Sequence, residues 1–351
     1  MKFFLFFLLL FSNISFADEI KSSDVVDNIS NISDGTVNIQ VASIEERKPE
    51  DYTPFDMQFQ ESMKKYKKTN LSFPHKIQHS VGSGFILFKN GLILTNSHII
   101  NNAFDILVTF SDGTKENADV VGNDQREDIA LLKVEKIPLS SRYVKIGDSD
   151  NIKVGDEIWT SGSPLGLEQT LTRGIISHLH RKLQGADSVF NDYIQIDAPM
   201  NHGNSGGPLF NSHMEVIGMN SMIISTTGNS IGLGFAIPSK YLNFVSYELG
   251  LFHHFLNRRI GIKITNLNED NSIIYNMDKS GVLVVDVLKN YPAYGILEKN
   301  DIILSIDNIN MLDTSDVIKT LYLHTPEDII KIKILRNGKE IEKELKIIID
   351  L

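Results

Sequence analysis

Residues 203–208 read G-N-S-G-G-P, a serine in a glycine-flanked turn directly ahead of the apolar Leu209 and Phe210. Such a turn leaves a hydroxyl clear of bulky neighbours and can gather backbone N–H groups on an oxyanion as it develops. Gly203 has the backbone freedom to aim its N–H beside that of Ser205. By itself the hexapeptide is an ordinary Gly/Ser/Asn turn. Two further segments change its meaning. L-I-L-T-N-S-H-I-I at 92–100 sets His98 just after an apolar strand. D-I-A-L-L-K-V at 128–134 opens a buried strand with Asp128, whose carboxylate needs a partner there. Alone, the histidine reads as structural and the aspartate as a strand start. Together the three segments supply nucleophile, base and orienting acid for acyl transfer, in the chain order His, Asp, Ser.

The elements that must position these residues are short apolar runs separated by Gly, Asn and Asp. They fall at 84–88, 91–95, 106–110, 129–134, 157–160, 174–178, 193–196, 208–210, 216–221 and 234–237. Many short strands at this spacing predict antiparallel β structure, a barrel or sandwich, from 82 to about 238. Upstream, Val37, Ile39 and Val41 alternate with polar residues and predict a strand over 36–42, after a short helix over 24–32. The stretch 45–80 carries Pro49, Pro54, Pro74 and the solvated cluster Lys64, Lys65, Lys67 and Lys68, so it reads as a long polar loop. Leu242, Val245, Leu249 and Phe252 recur every three or four residues, predicting a helix over 239–255 that closes the first domain. The remainder, 258–351, is a second β-rich unit with a helical segment near 313–322.

A chain of 351 residues with 42% apolar and 22% charged residues is long and apolar enough for at least two cores. A net charge of -10 leaves no overall basic footprint and argues against nucleic-acid binding. There is no cysteine, which excludes thiol chemistry and Cys-zinc sites. His178 with His180, and His253 with His254, have no third ligand at recognisable spacing, so neither metal nor cofactor is expected. Lys2, the apolar run Phe3 to Phe11 and the small Ser15 and Ala17 make residues 1–17 a signal peptide. Export follows, with loose membrane association only if the signal stays uncleaved.

G-S-G-F-I from Gly82, T-N-S-H at 95–98, D-I-A-L-L-K-V from Asp128, Gln195 to Ala198 and G-N-S-G-G-P together resemble the HtrA/Deg family of exported serine proteases. S-P-L-G-L from Ser163, T-R-G-I-I-S from Thr172 and G-F-A-I-P from Gly234 extend the likeness over the first domain, and the His, Asp, Ser order is that of chymotrypsin. The resemblance implies an all-β, chymotrypsin-like double β-barrel followed by a smaller α+β domain. It implies Ser205 as nucleophile, His98 as general base and acid, and Asp128 as the group that fixes the imidazole. It places the oxyanion hole at the N–H groups of Gly203 and Ser205, with Asn204 between them. Segments 162–173, 182–192 and 222–234 resemble activation and specificity loops. Ile231, Gly232, Leu233, Gly234, Phe235 and Ala236 would shape the substrate pocket, and the lack of an Asp there predicts small or medium apolar side chains before the cut. Arg173 and His202 depart from the family's usual residues beside these loops.

In the second unit, R-R-I-G-I at 258–262, G-V-L-V-V-D-V-L from Gly281, Y-P-A from Tyr291 and N-D-I-I-L-S-I-D from Asn300 resemble a PDZ domain. The resemblance implies that Ile260, Gly261 and Ile262 bind the carboxylate and backbone of a C-terminal peptide added as a strand. The expected organisation is a signal peptide at 1–17, an N-terminal segment at 18–44, the polar loop at 45–80, the protease domain at 81–255 with the strand near 36–42, and PDZ at 258–351. The expected product is a periplasmic serine endopeptidase, homotrimeric, acting on polypeptide substrates. Three alternatives stay open: quality control of unfolded or mislocalised proteins in the stress response, narrow regulatory cleavage of the single-PDZ type, or a chaperone with little proteolysis.

Overall fold

The computed structural model describes residues 32–45, 76–163, 170–183, 188–201, 203–224, 230–267 and 281–349. The expected signal peptide, nearly all of the 24–32 helix and of the polar loop, parts of the three expected loops, and His202 lie outside the described residues.

The first barrel consists of β1 (Thr36–Glu45), β2 (Lys76–Phe88), β3 (Leu92–Thr95), β4 (Ala103–Thr109), β5 (Lys115–Asp124) and β6 (Ile129–Val134). It closes in the order β1-β2-β3-β6-β5-β4. Alternation on β1 puts Val37, Ile39 and Val41 inside the barrel. β1 and β2 pair from Thr36↔Phe85 to Glu45↔Lys76, so both strands run further than the apolar pattern predicts and take the two ends of the expected loop. β6 reads as a continuous apolar run because it is covered on both faces. Ala130, Leu132 and Val134 fill the barrel, while Ile129 and Leu131 join a second apolar layer outside it.

The second barrel consists of β7 (Lys145–Ile146), β8 (Glu157–Gly162), β9 (Thr170–Arg181), β10 (Tyr193–Ile196), β11 (Pro208–Phe210), β12 (Glu215–Ile223) and β13 (Gly234–Pro238). Its order is β11-β8-β9-β10-β13-β12-β7, and a β11–β12 pairing closes six of these strands into a ring, with β7 outside. Ile158, Ile176, Ile194, Ile196, Leu209 and Ile217 fill it.

Helix α1 (Ser239–Phe252) crosses from the second barrel to the first and buries Leu242, Val245 and Leu249. Gly122 on β5 permits that approach, since a Cβ there would stand 2.7 Å from the Leu249 carbonyl oxygen. The helix is shorter than its periodicity predicts. His253 takes a left-handed φ of 66° and donates its N–H to the Leu249 carbonyl, which stops the helix and leaves Phe252 45% exposed.

The C-terminal domain contains β14 (Arg258–Arg259), β15 (Ile262–Asn266), β16 (Val282–Val287), β17 (Ile302–Ile306), β18 (Ile309–Asn310), α2 (Thr314–Tyr322), β19 (Ile329–Arg336), β20 (Lys339–Lys346) and β21 (Ile348–Ile349). Its main sheet runs β15-β16-β17-β19-β20, leaving β15 at an edge. Asp313 and Asp316 form a reciprocal capping box that starts α2. The seam with the barrels is dense. Arg258, 1% exposed, pairs with Glu248 of α1, donates to the carbonyls of His324 and Leu256, and lies against the rings of Phe244, Phe255 and Tyr322. Lys182 donates to Asp313 and Ser315, and Lys319 of α2 stands 3.6 Å from the buried Asp192 carboxylate.

Candidate active site

The first barrel contributes two of the three expected residues. β3 ends at Thr95, and a 3-10 turn over Ser97–Ile100 buries Ser97, Ile99 and Ile100 while turning His98 outward. Asp128 is the last residue of the four-residue loop joining β5 to β6, whose flanks pair as Asp124↔Ile129. Its φ of 56° is left-handed, uncommon for a residue with a side chain. Asp128 Oδ1 accepts from the His98 backbone N–H at 3.0 Å and faces His98 Nδ1 at 2.9 Å. Its Oδ2 faces the same ring nitrogen at 3.0 Å and accepts from Ser221 Oγ at 2.9 Å. Asn96 Nδ2 donates to the Asp128 carbonyl at 2.9 Å. A carboxylate on Nδ1 fixes the tautomer that leaves Nε2 free to exchange a proton.

The second barrel contributes the turn 203–207, which is pinned from both sides. From β2, Ser83 N–H donates to the Ser205 carbonyl at 2.9 Å and Ser83 Oγ to the Gly203 carbonyl at 2.6 Å. From β12, the Asn220 carbonyl accepts from Gly206 N–H at 2.8 Å, and Asn220 N–H donates to the Gly207 carbonyl at 2.9 Å. Gly206 has a φ of 81°, and a Cβ on it would stand 2.1 Å from the Ser83 carbonyl oxygen, so only glycine allows the barrels to meet here. Gly203 has a φ of 103°. Among the described residues nothing accepts from the N–H of Gly203 or Ser205, and Ser205 Oγ makes no hydrogen bond to His98. Asn204 is buried with its side-chain oxygen unpartnered, packed against Gly162.

His98, Asp128 and Ser205 line one cleft of about 330 Å³, together with Met200, Asn201, Ser221, Met222 and Ile223. Ile231, Gly232, Leu233, Gly234, Phe235 and Ala236 are not among the described residues lining this cleft. Gly234, Phe235 and Ala236 are buried in β13, one strand behind Met222 and Ile223, with Met222↔Phe235 and Ile223↔Gly234 in register. The space a side chain at Gly234 would need is occupied by Met200, whose sulfur stands 2.9 Å from the Cβ position. Met200 and Ser221 were not marked by the sequence motifs, whereas Met222 opens the 222–234 segment already likened to a specificity loop. The only sequence hint is their placement just before the 203–207 turn or at the end of an apolar run.

Near the cleft, burial together with Glu127 and Asp128 pushes the Tyr193 phenol up to about 12. Arg173 is engaged with Glu157 and lies over the Trp159 ring. His180 faces Asp192 at 3.1 Å, and among the described residues no group of three metal-ligating side chains occurs.

In the C-terminal domain Ile260 is buried and Gly261 has a φ of 85°, with Tyr291 where a Cβ would go, 1.9 Å from the side chain's own Cβ. The carbonyls of Ile260 and Gly261 accept from Ala293 and Leu288 at 2.9 and 2.8 Å. Ile262 then opens edge strand β15 beside α2. An edge strand with a helix alongside is a receptor for an added strand.

Two barrels meeting at this cleft, with the edge-stranded domain behind, define a trypsin-like peptidase domain joined to a PDZ domain. Those two families match residues 82–219 and 259–347. The chain belongs to the HtrA/Deg family. It is 31% identical over 358 residues to a "Probable periplasmic serine endoprotease DegP-like" of Bartonella henselae, covering 96% of this chain and 70% of the relative. A protein of the same name from Pseudomonas fulva is 39% identical over 270 residues, covering 76% of this chain and 55% of that one. The chain thus spans about half the length of several curated relatives it matches. Among solved structures, the HtrA-type protease AlgW with decapeptide superposes with a TM-score of 0.73 at 29% identity, over 93% of this chain and 98% of that one. A serine endoprotease from Yersinia pestis gives 0.63 at 27% identity, over 93% and 98%.

Proposed function

We propose that the chain is a periplasmic serine endopeptidase whose catalytic groups are His98, Asp128 and Ser205. The observation that carries this reading is the bonding of Asp128 to His98 Nδ1 at 2.9 Å on the same cleft as Ser205. Ser205 Oγ attacks the peptide carbonyl as His98 Nε2 takes its proton, and the imidazolium formed is stabilised by Asp128. The carbonyl oxygen, now negative, receives the N–H groups of Gly203 and Ser205. His98 returns the proton to the leaving amine, and water repeats the sequence to release the acyl group. Met200, Met222 and Ile223 favour a small or medium apolar side chain before the cut.

C-terminal peptides bind along β15 at Ile260, Gly261 and Ile262 and regulate cleavage, a reading supported by the edge position of that strand and by the decapeptide held in the structure of the HtrA-type protease AlgW. The active unit is a homotrimer, and its substrates are unfolded or mislocalised proteins. Ser205→Ala is expected to lower kcat about a million-fold. The check is fluorophosphonate labelling followed by mass spectrometry of casein and periplasmic-extract digests. Labelling elsewhere than Ser205, or cleavage that persists in the variant, would refute the assignment.

A further inference from the structure

The loop joining β5 to β6 does more than carry Asp128. Asp124 Oδ1 accepts from the N–H groups of Arg126 at 3.0 Å and Glu127 at 2.9 Å, closing the turn on itself. Arg126 stands 3.7 Å from the Asp124 carboxylate, on the side of the turn nearer Tyr322 of α2. Glu127 points inward and is only 3% exposed. Its Oε1 accepts from Val189 N–H and its Oε2 from Ser188 Oγ, both at 2.8 Å. The segment it grips is itself fixed. Phe190 stacks on Tyr241 at 4.1 Å and meets Tyr322 edge-on at 6.4 Å.

Glu127 is an unusual residue to bury. Among the described residues no cation lies within ion-pair range of it. The groups around it are Asp124 from β5, Arg126 and Asp128 within the turn, Tyr193 from β10 and Tyr241 from α1. Burial pushes its carboxyl above the usual range, more than the hydrogen bonds from Val189 and Ser188 pull it down. A raised carboxyl pKa means that the folded state binds the proton more tightly than the unfolded state. Stability therefore falls as pH rises through the interval between the two, and the ionised group is retained at a cost to the fold. Costs of this kind concentrate where a site needs a group held in place.

We infer that Glu127 is a positioning residue for the reaction: by clamping the 188–189 segment it fixes the β5–β6 turn, and so aims the left-handed Asp128 at His98 Nδ1. This rests on the reading of His98, Asp128 and Ser205 as catalytic groups. Glu127 touches neither substrate nor reacting atoms. Its ionised form accepts two charge-assisted hydrogen bonds, from Ser188 Oγ and Val189 N–H. Glutamine, or a protonated Glu127, keeps two partners only as weaker neutral bonds, with the Ser188 hydroxyl turned round to accept.

The test uses the full chain as wild type, Glu127→Gln and Ser188→Ala, with the rate of fluorophosphonate labelling at Ser205 and casein cleavage followed from pH 5 to 8. In Glu127→Gln, labelling near pH 8 is expected to fall about tenfold or more, the range of a lost hydrogen bond to a charged group. Its melting temperature should equal or exceed that of wild type, because the buried charge is gone. The gap should narrow as pH falls, since wild-type Glu127 then takes up its proton. Ser188→Ala, which removes one donor, should lie between the two. Equal labelling at every pH, or a loss that tracks a lowered melting temperature, overturns the inference. If Glu127→Gln melts early, unchanged labelling in Ser188→Ala overturns it as well. A wild-type chain that is not labelled at Ser205 sinks the catalytic reading itself, a distinct outcome.

Discussion

The cleft and the seam between the barrels and the PDZ domain treat polar groups in opposite ways. At the cleft, His98 is half exposed, Asp128 sits at a left-handed φ of 56°, and side-chain oxygens of Asn96, Asn204 and Asn220 find no partner among the described residues. At the seam, Arg258 is fully buried and over-provided, with a carboxylate, two carbonyls and three aromatic rings. The difference shows where the fold tolerates strain and where it recovers stability. A reaction site must leave donors and acceptors available to a substrate, and the rest of the molecule must hold them in that unsatisfied state.

This contrast can be broken most forcefully at the seam. Arg258→Ala leaves Glu248 buried without its partner and is expected to cost about 3–5 kcal/mol of unfolding free energy, measured by urea denaturation. Replacing both residues by Met and Leu should cost much less. If Arg258→Ala costs under about 1 kcal/mol, the seam is not where stability is recovered. At the cleft, Ser221→Ala removes a hydrogen bond to the Asp128 carboxylate. Loss of a bond to a charged group, about 1.5–3 kcal/mol, should lower kcat about 10- to 100-fold with KM and melting temperature little changed. A parallel fall in melting temperature would make Ser221 a structural residue and blur the comparison. The smallest effect belongs to Lys182→Ala. Its contact with Asp313 and Ser315 lies at the seam's solvent-exposed margin, so a change within about 1 kcal/mol, shrinking with added salt, is expected. A larger, salt-independent loss would extend the buried seam to this margin.

The three residues proposed as catalytic stand out in the sequence because each sits in a short motif whose glycines and apolar neighbours are dictated by the local turn or strand. The strands were legible where one face is buried, as on β1, or both, as on β6. β5 was not, because K-E-N-A-D-V-V-G-N-D packs mainly through Gly122 and has few apolar side chains to mark a period. Met200, Ser221 and Glu127 escaped for another reason. Each is set in place by residues far along the chain, through packing, strand register or a turn gripping a distant segment. Arg258 was noticed only as part of R-R-I-G-I, and nothing local shows that its partner lies on α1.

The buried Arg258–Glu248 pair also limits how freely these two domains can be exchanged. Cut from its neighbour, the PDZ half would present a guanidinium that had been folded into aromatic surroundings, and the peptidase half would retain a carboxylate left with the Leu256 N–H. Recombination at this junction is expected to keep its stability best when positions 248 and 258 are inherited together, so domains joined as separate cassettes would change as one unit there.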